Sequence, residues 1–148
     1  MSTRRLIVAS LLCGIAILVA GGVKLFQTTA DGNRVDGSLL AIGEATVVAG
    51  VEVAVVGVSR GETGTAVTVE MRASDASTAD LDVATGWRML ADGALTSPLG
   101  ASSPSGAVCG SVAQSRVVAC VLSFVVANGT PTFIYSRDDA QGQWLAGG

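Results

Sequence analysis

TAVTVEMRAS, residues Thr65–Ser74, is the stretch from which the fold can be read. Val67, Val69, Met71 and Ala73 alternate with Thr68, Glu70 and Arg72. Successive side chains of a strand point to opposite faces, so a period of two predicts a strand with one face in a core and one in water. The same grammar extends in both directions. Before it, GETG (Gly61–Gly64) is a turn, and VEVAVVGVSR (Val51–Arg60) and IGEATVVAG (Ile42–Gly50) are apolar segments of strand length. After it, ASDASTAD (Ala73–Asp80) reads as a polar loop, and GWRMLADG (Gly86–Gly93) as a strand running into an Asp-Gly turn.

Further on, SPLGASSPSG (Ser97–Gly106) carries two prolines and two glycines and is irregular. RVVACVLSFVVA (Arg116–Ala127) is apolar on both faces, as a central strand would be. Asn128-Gly129 is a strong turn signal, followed by PTFIYS (Pro131–Ser136), an acidic RDDAQG and QWLA, which ends at Ala146. No βαβ alternation and no internal repeat stands out. About seven short strands with turn signals between them predict an antiparallel, immunoglobulin-like β-sandwich over residues 39–148. The 19 glycines and the scarcity of long helix-forming side chains agree with short strands joined by turns.

Ahead of this domain, LIVASLLCGIAILVAGGVKLF runs from Leu6 to Phe26. Its first 18 residues, Leu6 to Val23, carry no charge. At about 1.5 Å per residue they span about 27 Å as a helix, close to the roughly 30 Å of a bilayer core. Arg4 and Arg5 precede the stretch, and all 12 acids lie at or beyond Asp31. That asymmetry places the N-terminus inside and the domain outside the cell membrane. Residues 1–26 are therefore expected to be a signal-anchor or signal-peptide helix, and residues 27–38 (QTTADGNRVDGS) a flexible tether.

Three fates of the leader are open. It stays as a single-pass anchor; or it is cut after Gly22 or Ala30, where small residues precede the site; or Cys13 is lipidated, against which Leu11 and Leu12 speak. Length favours the anchor over a signal-peptide core of about 7–15 residues. Ala16 and Ala20 form a small-xxx-small pair that can seat a partner helix. The paired arginines partly resemble a twin-arginine signal.

Cys109 and Cys120 are the only cysteines beyond the leader. In an exported domain an even pair reads as a disulfide, the alternative being two buried thiols. With GSVAQS (Gly110–Ser115) as a turn, the pair falls on or near two arms of a hairpin.

The order of segments resembles a family of telokin-like, immunoglobulin-like extracellular domains found in actinobacterial exported proteins. The likeness rests on Gly43-Glu44 before two strands and on the alternating AVTVEMRAS. It rests also on an apolar strand ending in Phe124, a turn over Val126–Gly129 and a strand ending in Tyr135. It covers Gly37 to about Leu145 and departs at Ser102–Ser115, where the family usually has a Pro-Gly turn and often no cysteine pair. The resemblance implies an immunoglobulin-like fold and an extracytoplasmic address. It implies no catalytic residues.

The residue inventory limits the chemistry. There is no histidine, which removes Ser-His-Asp and Cys-His catalysis. The only lysine, Lys24, is in the leader. From Asp31 on, six bases face 12 acids, a net charge of −6 and no basic face for nucleic acid. Asp75, Asp80, Asp82, Asp138 and Asp139 lie in polar loops, where carboxylates are normally solvated. Asp138, Asp139 and Gln141 are the nearest approach to a calcium set, without EF-hand spacing. Trp87 and Trp144 are either core residues or an interaction surface. Asn128-Gly129-Thr130 matches a glycosylation sequon, weakened by Pro131.

Together these readings predict a non-enzymatic extracytoplasmic interaction module without metal or cofactor. It meets the membrane through its N-terminal helix and a protein partner in the cell envelope. The alternatives are an accessory subunit of a membrane complex and, with the leader removed, a secreted ligand-binding protein.

Overall fold

A computed structural model describes residues 38–147. The apolar stretch 6–26, with Cys13, Ala16 and Ala20, and the tether residues 27–37 lie outside the described residues. Ten strands follow one another: β1 (Leu40–Ala41), β2 (Ala45–Val48), β3 (Val51–Gly61), β4 (Gly64–Ala73), β5 (Trp87–Ala91), β6 (Ala94–Thr96), β7 (Gly100–Ser102), β8 (Val118–Phe124), β9 (Thr132–Arg137) and β10 (Ala140–Leu145). A single 3-10 turn, Ala76–Thr78, is the only helical element among the described residues. The all-β expectation holds. The seven strands of four or more residues are the seven read from the sequence, and β1, β6 and β7 are additional.

The strands form two five-stranded sheets, ordered β2-β3-β4-β8-β7 and β1-β10-β9-β5-β6. Every pairing is antiparallel except β1 with β10, which is parallel. The sheets share one apolar core in a sandwich-like arrangement. Val53, Val69, Met71, Cys120, Leu122 and Phe124 come from one sheet, and Trp87, Met89, Phe133, Tyr135 and Trp144 from the other. In β4 the buried residues are Thr65, Val67, Val69, Met71 and Ala73, while Arg72 is exposed and Thr68 and Glu70 are half-buried, as the alternation requires. Full burial of a Val or Met side chain contributes roughly 1.5–3 kcal/mol, so this face alone anchors the sheet.

Turn chemistry sets the registers. Asp92-Gly93 closes the β5–β6 hairpin with both residues at positive φ, 53° and 75°. That is the backbone of a type I′ turn, which matches the twist of the flanking strands. Ala49-Gly50 closes β2–β3 in the same way, at 45° and 79°.

Two expectations are corrected. Asn128-Gly129 closes no hairpin: it lies in the connection that carries the chain from β8 in one sheet to β9 in the other, where the Asn128 N–H donates to Asp92 Oδ2 at 3.1 Å. The outer face of β8 is also not buried. Val121 and Ala119 are half-exposed and Ser123 is exposed, so only the Val118, Cys120, Leu122 and Phe124 face is in the core.

Candidate functional site

The feature that invites a ligand follows from a mismatch of strand lengths. β3 has 11 residues and β2 has four. β2 pairs with the first part of β3, Val51 to Ala54, and Gly43 N–H then donates to Val55 O at 2.7 Å. At the same point the β3–β4 register shifts between Val55 and Gly57, as at a β-bulge. Beyond that point β3 has no strand partner on its β2 side among the described residues. Across the gap stands β1, which belongs to the other sheet because Leu40 and Ala41 pair with Trp144 and Leu145 of β10.

Between them opens a groove of about 540 Å³. One wall is Leu39, Leu40, Ala41 and Ile42; the other is Val58 and Arg60; the floor is the end of β10 and the residues after it, Leu145–Gly147. Leu40, Ile42 and Val58 also pack against the core, so the walls continue the rigid interior.

Arg60 is the one charged residue in this lining. Its Nη1 donates to Gly129 O at 2.7 Å and its Nη2 to Ala146 O at 2.8 Å. The guanidinium is thus held by two carbonyls from distant parts of the chain. Among the described residues the ion pairs are Glu52–Arg72 and, at 3.8 Å, Arg137–Asp138; none neutralises Arg60. The groove therefore combines apolar side chains with a guanidinium that is in no ion pair among the described residues.

The residues singled out in the sequence lie elsewhere. Trp87 and Trp144 are both fully buried, which answers the choice between core and surface in favour of the core. Their rings lie 5.7 Å apart, and Trp87 lies 5.1 Å from Tyr135. Trp144 Nε1 donates to Glu44 O at 2.8 Å, whereas Trp87 Nε1 has no hydrogen-bond partner. Burial raises the Tyr135 hydroxyl above its ordinary pKa, against the opposing pull of the Arg137 guanidinium.

Cys109 and Cys120 form a disulfide with Cα atoms 5.6 Å apart. It does not staple a hairpin. Cys120 is on β8, and Cys109 lies in the irregular segment between β7 and β8. Within that segment Val112 enters the core and its backbone bonds to Leu81 and Asp80. The bond thus ties a core-inserted loop to β8.

The acidic loops have local employment. The Asp75 carboxylate accepts from Ser77 Oγ at 2.6 Å and from Thr78 N–H at 3.1 Å, and these bonds hold it below the ordinary carboxylate range. Asp82 accepts from Ala84 N–H at 2.9 Å. Among the described residues no three carboxylate or thiol side chains converge on a point where a metal ion would sit.

The sequence did not single out Arg60. Its role depends on the parallel placing of two-residue β1, which carries no periodic signal. No family model, no curated protein and no solved structure matches the chain.

Proposed function

We propose that this protein is a non-enzymatic, extracytoplasmic binding module: an immunoglobulin-like sandwich held at the membrane by its N-terminal apolar helix, with the groove beside β1 as its binding site. The observation that carries the reading is that groove. It is an open groove with apolar side chains and one oriented charge, of a volume within the roughly 300–1,000 Å³ typical of ligand pockets.

Strand order supports the immunoglobulin-like part. Taking β3, β4, β8 and β7 as strands A, B, E and D gives one sheet of that fold, and β10, β9 and β5 as G, F and C give the other. Trp87 is then the buried tryptophan of strand C, packed beside Tyr135 of strand F. The disulfide departs from the pattern, since it joins the D–E connection to strand E rather than B to F. A disulfide within the domain supports an oxidising, extracytoplasmic location. The telokin-like resemblance points the same way.

The test is intact mass, without reduction, of protein recovered separately from membrane and medium. A full-length mass in the membrane, short of the two hydrogens lost to the disulfide, supports the tethered module. A mass starting after Gly22 or Ala30, found in the medium, replaces it with a secreted binding protein. A stoichiometric membrane partner retained through detergent purification favours an accessory subunit docked by its helix.

A further inference from the structure

We infer that the groove takes an anionic single-chain amphiphile, a long-chain fatty carboxylate, with its hydrocarbon along Leu39–Ile42 and Leu145 and its carboxylate on Arg60. The inference rests on the reading of the groove as a binding site and adds the class of ligand. The walls favour hydrocarbon. Leu39 is 53 % exposed at the groove mouth, and Leu40, Ala41, Ile42, Val58 and Leu145 offer no side-chain hydrogen bond. A ligand with polar groups along its length would leave them unmatched there, at a cost a methylene chain does not incur. Covering the leucine and isoleucine surface supplies the affinity.

The head group is chosen by Arg60. A guanidinium has five N–H donors, and two of its nitrogens are already aimed by the Gly129 and Ala146 carbonyls. Those bonds fix the side chain without cancelling its charge, so little rotamer freedom remains to be lost when an anion arrives. Carboxylate is the planar partner that this fork matches. Arg60 is one of three described arginines in no ion pair; of the other two, Arg88 lines a smaller groove beside Pro98 and Leu99, and Arg116 is exposed. The other described arginines near carboxylates, Arg72 and Arg137, are paired with Glu52 and Asp138. Asp75 and Asp138 lie at the opposite end of β3, next to Ala49-Gly50, whereas the Glu44 carboxylate accepts from Ala41 N–H of the groove wall at 2.6 Å and Asp92 accepts from Asn128 N–H beside Gly129.

The experiment uses the full chain in phosphatidylcholine nanodiscs and two photoreactive probes. They have the same hydrocarbon chain, with a diazirine at mid-chain, and end in a carboxylate or in an alcohol. Cross-linked peptides are mapped after digestion. The carboxylate probe is expected to label the segments holding Leu40–Ile42 and Leu145–Ala146 about tenfold more than the alcohol, the ratio a charge-assisted hydrogen bond gives. Arg60→Gln should lower carboxylate labelling to the alcohol level, and Arg60→Lys should restore part of it. Leu145→Gln, which leaves Arg60 in place, should lower labelling by both probes. Equal labelling by the two probes, or labelling unchanged in Arg60→Gln, overturns the fatty carboxylate while leaving the groove as a binding site. Labelling that avoids both groove segments overturns the site itself.

Discussion

The two tryptophans make a matched pair on which the core energetics can be tested. Both are fully buried and in contact, yet only Trp144 has an acceptor for its indole N–H. Replacing either by Phe removes a similar amount of apolar ring and leaves a similar gap, costing about 1–2 kcal/mol. The polar terms then diverge. In Trp144→Phe a hydrogen bond to Glu44 O is lost, adding about 1 kcal/mol, for a total of about 2–3 kcal/mol. In Trp87→Phe a buried, unpartnered donor is deleted, which returns about 1–3 kcal/mol and leaves the variant near the parent in stability. The expected gap between the variants is about 2 kcal/mol or more. Urea unfolding followed by far-ultraviolet circular dichroism reads it directly, because each substitution removes one of the two tryptophans and so changes the fluorescence probe itself. The comparison requires equal m-values, so that the difference in midpoints is a difference in stability. The double variant should not be summed from the singles, since the rings touch. If Trp87→Phe costs as much as Trp144→Phe, the argument from the orphan N–H is refuted.

Three further outcomes are expected. Tyr135 is the only tyrosine, so phenolate absorbance titrates one group. Its raised pKa means the unfolded chain ionises first; stability should be intact below pH about 10 and fall as pH rises through that value, and Tyr135→Phe should remove the fall. Ala49 sits at a φ of 45° in a two-residue turn ahead of Gly50, so Ala49→Asn, which tolerates that backbone, should raise the urea midpoint by an amount equivalent to about 1 kcal/mol. Breaking the disulfide with Cys109→Ala should cost about 3 kcal/mol by loop-closure entropy; an unchanged midpoint would show that Val112 and its backbone bonds already hold the loop.

Local periodicity explains which elements could be read. β4 announces itself because a single face is buried over ten residues, and every second side chain reports it. β5 and its Asp-Gly turn are legible because the turn backbone demands those residues. β8 misled because its outer face carries Ala119 and Val121, apolar residues that stand half-exposed without a second layer over them. Asn128-Gly129 misled because the same dipeptide serves a crossing between sheets, where the Asp92 carboxylate satisfies its backbone. The cysteine spacing implied a crosslink, but its geometry depended on an irregular loop that enters the core at Val112, with Cys109 and Ala113 packed beside it.

The groove was beyond such reading for a deeper reason. It is not encoded in any one segment but in the difference between two: a four-residue β2 against an 11-residue β3. A longer β2 would continue along β3 beyond Val55, take up its free edge and fill the space. What stops it is the Gly43-Glu44 turn, where Gly43 has a φ of 95° and Glu44 N–H donates to Ala41 O at 3.1 Å. That turn sends the chain from β2's sheet to β1's, and the Glu44 carbonyl accepts from Trp144 on the way. The Gly43-Glu44 turn therefore bounds the groove where β2 ends. On this argument an extension of β2 by pairing residues at Gly43-Glu44 would close the site while lengthening the sheet, separating binding from stability in a way that no substitution within the walls can.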